Sequence, residues 1–529
     1  MCSGSFDCVE ITMNSGTSGS SQELGDKLAT RPMAPPAAPD RLTRWLAWSA
    51  VAGIIGAIVI MIAASATRNS WEHVFIRLPA GAPPWELSVR VSLTLASAAL
   101  WTAAVVGGAG MIAGLAAMRR GGLVPARLLL GAGLVAVAAF TVLPPTGSTD
   151  ALDYAAFGRI AVLGHSPYVM TPDDLRRTGD PVGRAAPRTW GSFVSVYGPA
   201  GTAEQWAAAE LGGTSAARIA FWLKLWDAIA FGAVVLALDR LTRADPAQRA
   251  RAHLLWSANP LLLWVLIAAG HIDAMAAAAG FLGLIVVRKR GPADDPQALR
   301  WLTAGLLVGL AVDLKVNYVL FGLGLAWAAR RSVTAWLSAG AGAAIVLLPS
   351  YLWFGAPAAR ALFSHGAVAS IGNFYQTYFG SRQHMVPHAL LLGSLAFLAV
   401  AALMLRRLPD GVPALPAVQP ALALSVAWLF LWPYEFPWYD AAALCLLALY
   451  PASRLDWLVL IRLTAATFTF MPGNAGFPVQ HVLHVITTGM LFYIAPVILL
   501  ACAVALIWLA LTRRWNMASP AVIPAEAPP

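Results

Sequence analysis

The residues able to do chemistry sit in short polar breaks between long apolar runs. The segment LPPTGSTDALDYAAFGRIAVLGHSPYVM sets Asp150 and Asp153 just past one such run, with Ser148 or Thr149 placed to cap a helix. At i,i+3 spacing the two carboxylates share a helix face. They suit either the positive end of the helix dipole or a base that takes a proton from a hydroxyl. Gly164-His165-Ser166-Pro167-Tyr168 closes that helix with a turn, and TWGSFVSVYGP adds aromatic residues and a Gly-Pro stop. In NPLLLWVLIAAGHIDAM, Asn259-Pro260 opens an apolar run and Gly270-His271-Ile272-Asp273 ends it. A His and an Asp two apart make a polar turn of a kind that membrane segments seldom keep without use.

In GLAVDLKVNYVLFG, Asp313 and Lys315 break what would otherwise be one helix. A lysine at mid-membrane costs about 2.5 kcal/mol or more. Lys315 therefore either neutralises Asp313 or offers a point charge to a lipid phosphate. Lys224 and Asp227, i,i+3 within an apolar run, read as an internal ion pair. FLWPYEFPWYDAA carries Trp432, Tyr434, Trp438 and Tyr439 around Pro433 and Pro437. Such aromatics anchor a helix end at the lipid surface or stack on sugar rings. The segment 356–385 adds Arg360, His365, Asn373, Tyr375, Tyr378 and Arg382, of which Arg or His suits a phosphate or sugar hydroxyl.

The elements that must hold these residues are membrane helices. Hydrophobic residues make up 58% of the chain and charged residues 12%, with mean hydropathy +0.66. A soluble domain carries about 25% charged residues, so a soluble enzyme, a disordered protein and a nucleic-acid binder are excluded. The apolar runs approach the roughly 20 residues that cross a bilayer, and they predict an all-α polytopic membrane protein with about 12 to 14 transmembrane helices. The formal net charge of +10 comes from basic clusters in short loops, among them Arg119-Arg120, Arg240/Arg243/Arg249/Arg251, Arg288/Lys289/Arg290, Arg330-Arg331, Arg406-Arg407 and Arg513-Arg514. Fourteen spans with both ends inside put every cluster on the cytoplasmic side. That count makes 301–329 two short helices with a turn near Asp313–Lys315. It also gathers the polar breaks on the opposite face, together with a long loop at 144–214 that carries short helices. Residues 1–42 and 513–529, rich in small residues and proline, are expected to be disordered cytoplasmic tails around a transmembrane domain at 43–512. Four cysteines give neither a disulfide framework nor a metal spacing, and no cofactor motif is found.

Taken in order, these pieces resemble the GT-C class of membrane glycosyltransferases. Among these they are most similar to the actinobacterial polyprenyl-phosphate-mannose-dependent α-(1→6)-mannosyltransferases that build lipomannan and related glycans. The matching residues are Asp150, Tyr154, Gly158 and Gly164–Tyr168; Tyr197-Gly198-Pro199; Asn259-Pro260 with Gly270–Ala274; Lys315; and Pro433-Tyr434 with Pro437-Trp438-Tyr439. The resemblance implies inverting transfer of a mannosyl group to a cell-envelope glycan or glycolipid at the outer face of the plasma membrane, with no metal. It implies catalysis by Asp150, with Asp153 beside it. Lys315, His271, Asp273 and Arg382 would bind the donor phosphate. Tyr154, Tyr168, Tyr197, Tyr434, Trp438 and Tyr439 would line the sugar and acceptor. The expected partners are the lipid-linked donor, the glycan acceptor and membrane lipids, without nucleic acid. Transfer of arabinose or another lipid-linked sugar is the neighbouring reading, and a flippase the more distant one.

Overall fold

The structure is a computed structural model that describes residues 40–68, 78, 81–288, 297–362, 370, 372–379, 387–409, 411–412, 414–434, 436–470 and 481–515. The segments expected as tails fall largely outside these residues. Three apolar helices come first: α1 (Arg41–Ala66), α2 (Leu93–Arg119) and α3 (Ala126–Val142). Helix α1 thus begins two residues inside the stretch expected as a tail. A short parallel pairing of Thr67–Arg68 with Leu87–Arg90 lies between α1 and α2.

After α3 the long polar segment folds into the expected short helices: α4 (Asp150–Val162), α5 (Pro172–Arg177), α6 (Pro181–Ala185) and α7 (Pro199–Gly212). Their starts are written locally. Thr171 and Asp174 form a reciprocal capping box on α5, Asp180 caps α6, and proline occupies the first turn of α5, α6 and α7. Gly198 lets the chain into α7 lie directly on the next helical layer. A Cβ there would stand 2.0 Å from the Asp313 carbonyl oxygen.

Helix α8 (Ala216–Thr242) returns through the bundle. Helix α9 (Pro246–Ala252) and α10 (Pro260–Leu263) each run into a π-helical turn, His253–Ser257 and Trp264–Ala268. The chain then bends by 116° into α11 (Asp273–Val286). The bend needs Gly270, whose φ of +74° is costly for any residue with a Cβ. Next come α12 (Gln297–Leu314), α13 (Val319–Ala329), α14 (Val333–Ala361), α15 (Phe374–Phe379), α16 (Pro387–Arg407) and α17 (Val418–Leu431). The last are α18 (Asp440–Leu447), α19 (Arg454–Phe468), α20 (His481–Gly489) and α21 (Ala495–Thr512).

Among the described residues, seven helical stretches are long and apolar enough to cross a membrane, eight if the bent pair around Gly270 is one span. The helices Ala126–Val142, Val316–Ala329 and Val418–Leu431 are apolar but shorter. The expected 12 to 14 also includes shorter and broken apolar runs. Two of the expected spans fall on the bent pair Pro246–Ala268 and Asp273–Val286, and α18 and α19 have 8 and 15 residues. The expected break at Asp313–Lys315 is present, between α12 and α13.

Two buried ion pairs fasten α19 to the interior. Arg251 grips Asp456 with two nitrogens, at 2.5 and 2.8 Å, and Arg462 pairs with Asp440. Losing one partner from such a pair strands a charge in a low dielectric, which makes these pairs fixtures of the fold.

Candidate active site

Asp150 is placed by the segment that leaves α3. The Thr146 N–H donates to the Ala268 carbonyl at 2.8 Å, tying the segment to the second π-helical turn. The Ser148 hydroxyl accepts from the Asp150 N–H at 3.2 Å and caps the start of α4, a role expected of Ser148 or Thr149. Lys224 of α8 donates to the carbonyls of Leu143 and Pro144, at 2.8 and 3.3 Å. The expected Lys224–Asp227 pair is therefore corrected. The ammonium bonds to carbonyls at the end of α3, while Asp227 Oδ1 has no hydrogen-bond partner.

Opposite Asp150 stands His271, on the bend after Gly270. Its Nδ1 lies 2.5 Å from the Val265 carbonyl, which can only accept, so Nδ1 carries a proton. Nε2 lies 3.3 Å from Asp150 Oδ2. The ring is buried and stacks on Trp438, centroids 3.8 Å apart and planes 18° apart. The orientation of His271 is thus fixed, and its remaining nitrogen faces the carboxylate at contact distance.

Lys315 completes the group. Helix α12 stops at Leu314, and Lys315 takes an extended conformation that sends its ammonium to Asp273, at 2.5 Å. The pairing of Lys315 with Asp313 expected from their adjacency is thereby corrected: the helix end turns the two side chains apart. The ammonium also lies 4.3 Å from the ring centre of Tyr439 and 5.9 Å from that of Tyr197. Tyr197 donates to the Tyr154 hydroxyl at 2.9 Å, and Tyr318 donates to the Asp273 carbonyl at 3.1 Å.

The two carboxylates of α4 have different fates. Asp150 keeps 19% of its side chain exposed. Burial works to raise its pKa, but His271, Ser148 and Lys315 hold it below the usual aspartate value. Asp153 is buried with neither oxygen hydrogen-bonded. Burial, reinforced by the Asp150 charge, pushes its carboxyl well above the usual range. Burial likewise raises Tyr154 and Tyr197, which remain neutral hydrogen-bonding phenols.

Of the residues singled out in the sequence, Asp150, Tyr154, Tyr197, His271, Asp273, Lys315, Trp438 and Tyr439 come together here. Tyr434 is half-buried, close enough for Asp150 to act on its phenol electrostatically. The aromatic segment is not a surface belt: Trp438 and Tyr439 are buried, and Phe436 stacks on Trp438 at 4.7 Å. Tyr168 lies apart, bonded to Thr202 at 2.7 Å and packed edge-on against Phe354. Arg382 and His365 lie outside the described residues. Sequence reasoning missed Ala268, Trp264 and Tyr318 as supports of the site. A Cβ on Gly147 would press on the Trp264 indole, but nothing in an apolar run marks a tryptophan for that role.

The arrangement joins an ionised carboxylate, a histidine locked against it and an ammonium on an aromatic wall, all at one end of the helices. Arg119 and Arg240 sit in the last turns of α2 and α8, and Arg249 and Arg251 in the last turn of α9. Such a group suits transfer of a glycosyl group to a hydroxyl. Among solved structures, the chain is similar to ArnT from Cupriavidus metallidurans in the apo state, with 14% identity and a TM-score of 0.40 over 73% of this chain and 75% of that one. No curated protein matches the chain in sequence. The model of the alpha-(1->6)-mannopyranosyltransferase family, N-terminal domain, matches residues 50–331, more than half of the 529. The chain is a membrane protein that belongs to this family of mannosyltransferases.

Proposed function

We propose that this glycosyltransferase takes a mannosyl group from a polyprenyl-phosphate donor and passes it, with inversion, to a hydroxyl of a cell-envelope glycan or glycolipid of the lipomannan type. The observation that carries the reading is the Asp150–His271 contact at 3.3 Å with Lys315 in the same group. Asp150 takes the proton of the acceptor hydroxyl as its oxygen bonds to the anomeric carbon. The bond from that carbon to the phosphate oxygen breaks, and its electron pair leaves with polyprenyl phosphate. With a proton on Nε2 as well as on Nδ1, His271 orients Asp150 and stabilises its ionised form. Lys315, with Arg382 and the His271–Asp273 turn, meets the charge growing on the phosphate, where preorganised cations lower the barrier most. Tyr154, Tyr197, Tyr434, Trp438 and Tyr439 form the polar and aromatic wall for sugar and acceptor, while the Tyr168 hydroxyl is engaged by Thr202.

Membranes holding the protein should transfer labelled mannose from polyprenyl-phospho-mannose to short mannosides, and should use polyprenyl-phospho-arabinose poorly. Equal or better use of arabinose would overturn the choice of sugar and keep the enzyme class. The proposed outer-face placement draws its support from the basic residues clustered in short loops. In a background without native cysteines, a cysteine at Gly179 should react with an impermeant thiol reagent on whole cells, and one at Ala247 should not. The reverse pattern would place the chemistry inside.

A further inference from the structure

Lys224 is fully buried, on α8. Its ammonium caps the Leu143 and Pro144 carbonyls, at 2.8 and 3.3 Å. Those carbonyls end α3 and are followed by Pro144 and Pro145, which have no N–H to close a turn on them. A cation at a helix C-terminus also suits the helix dipole. The stem of the same side chain runs under the bend that carries His271. A Cβ on Gly270 would stand 2.9 Å from Lys224 Cγ, and on its other side 3.4 Å from the Ala151 Cβ, next to Asp150. One side chain therefore touches both backbone segments that present the Asp150–His271 pair.

We infer that Lys224 is a positioning residue: by holding the 143–144 carbonyls and backing the Gly270 bend, it sets the separation of Asp150 and His271. The inference rests on the proposed role of Asp150 as the base. The groups facing Asp150 are His271 and Lys315, with Ser148, Asp153, Tyr197 and Tyr434 around it. If the separation widens, His271 holds the carboxylate down less, and the acidic limb of the rate profile moves to higher pH. A misplacement of about 1 Å costs about 100-fold in rate, so the effect falls on kcat rather than on KM.

The test uses full-length protein in membranes and compares Lys224→Met, which keeps the stem and removes the donor, with Lys224→Arg. Lys224→Met should lower kcat by about 10- to 100-fold, leave both KM values within about twofold, and raise the acidic limb. Hydrogen exchange should speed up over 143–150, where Thr146 bonds to Ala268. Lys224→Arg should restore part of kcat and the original limb. Should Lys224→Met fail to insert, Lys224→Gln carries the same readouts. A folded Met or Gln variant with wild-type exchange over 143–150 and an unmoved acidic limb would overturn the inference and leave Lys224 a packing residue. Asp150→Asn measured alongside keeps the claims apart. If that variant is fully active the base assignment fails, while exchange over 143–150 still decides whether Lys224 holds the segment.

Discussion

Asp150→Asn should lower mannosyl transfer by about 10²–10⁴-fold while the protein still inserts and folds. The amide keeps the size of the side chain and can still bond to its neighbours, but it cannot accept the acceptor's proton. Asp153→Asn should have a mild effect, because burial favours the protonated carboxyl and an amide is close to a protonated acid in shape. The pH dependence follows from the same contrast. Asp150 must be ionised to act, and its neighbours hold its pKa below the usual aspartate value. Activity should persist to correspondingly low pH and fall only as the pH drops through that depressed value. The measurement is labelled-mannose transfer in membranes, normalised to folded protein. An inactive Asp153→Asn beside a fully active Asp150→Asn would move the base to the other carboxylate.

Lys315→Ala should produce the second large loss, on the order of 10²-fold, because it removes the preorganised cation that meets charge on the leaving phosphate. It also strands Asp273, fully buried and bonded to Lys315 at 2.5 Å. The variant therefore combines a catalytic loss with a stability loss of about 3–5 kcal/mol for a broken buried pair. Lys315→Arg separates the two, since charge survives while geometry changes. It should fold normally and retain part of the use of the lipid donor. Kinetics for the donor unchanged in a folded Lys315→Ala protein would leave Lys315 as merely the partner of Asp273.

Much of this site was legible because the residues that build it interrupt apolar runs. Gly270–Asp273 reads as a polar turn from four letters, and the bend is there with φ +74° at the glycine. Asp313–Lys315 reads as a break, and α12 ends at Leu314. What sequence spacing could not supply was the choice of partner. Adjacency favours Lys315 with Asp313 and Lys224 with Asp227. The folded protein instead takes Lys315 to Asp273, 42 positions away, and Lys224 to Leu143, 81 positions away. Local rules describe one helix, whereas these side chains lie where several helices meet and satisfy whatever buried acceptor stands closest. The aromatic segment 432–439 left two readings, lipid anchor or sugar stacking, for a related reason. Its prolines signal a break, but only the neighbouring helices decide that the break turns inward, setting Trp438 against His271 instead of lipid.

The central claim is that the chain breaks a sugar–phosphate bond and makes a glycosidic one. It is tested most directly by giving detergent-purified protein labelled polyprenyl-phospho-mannose and a short mannoside, and measuring both products. The account predicts a mannoside one residue longer and an equal amount of free polyprenyl phosphate. Reconstituted protein that moves the lipid-linked sugar between leaflets intact, forming neither product, would contradict it.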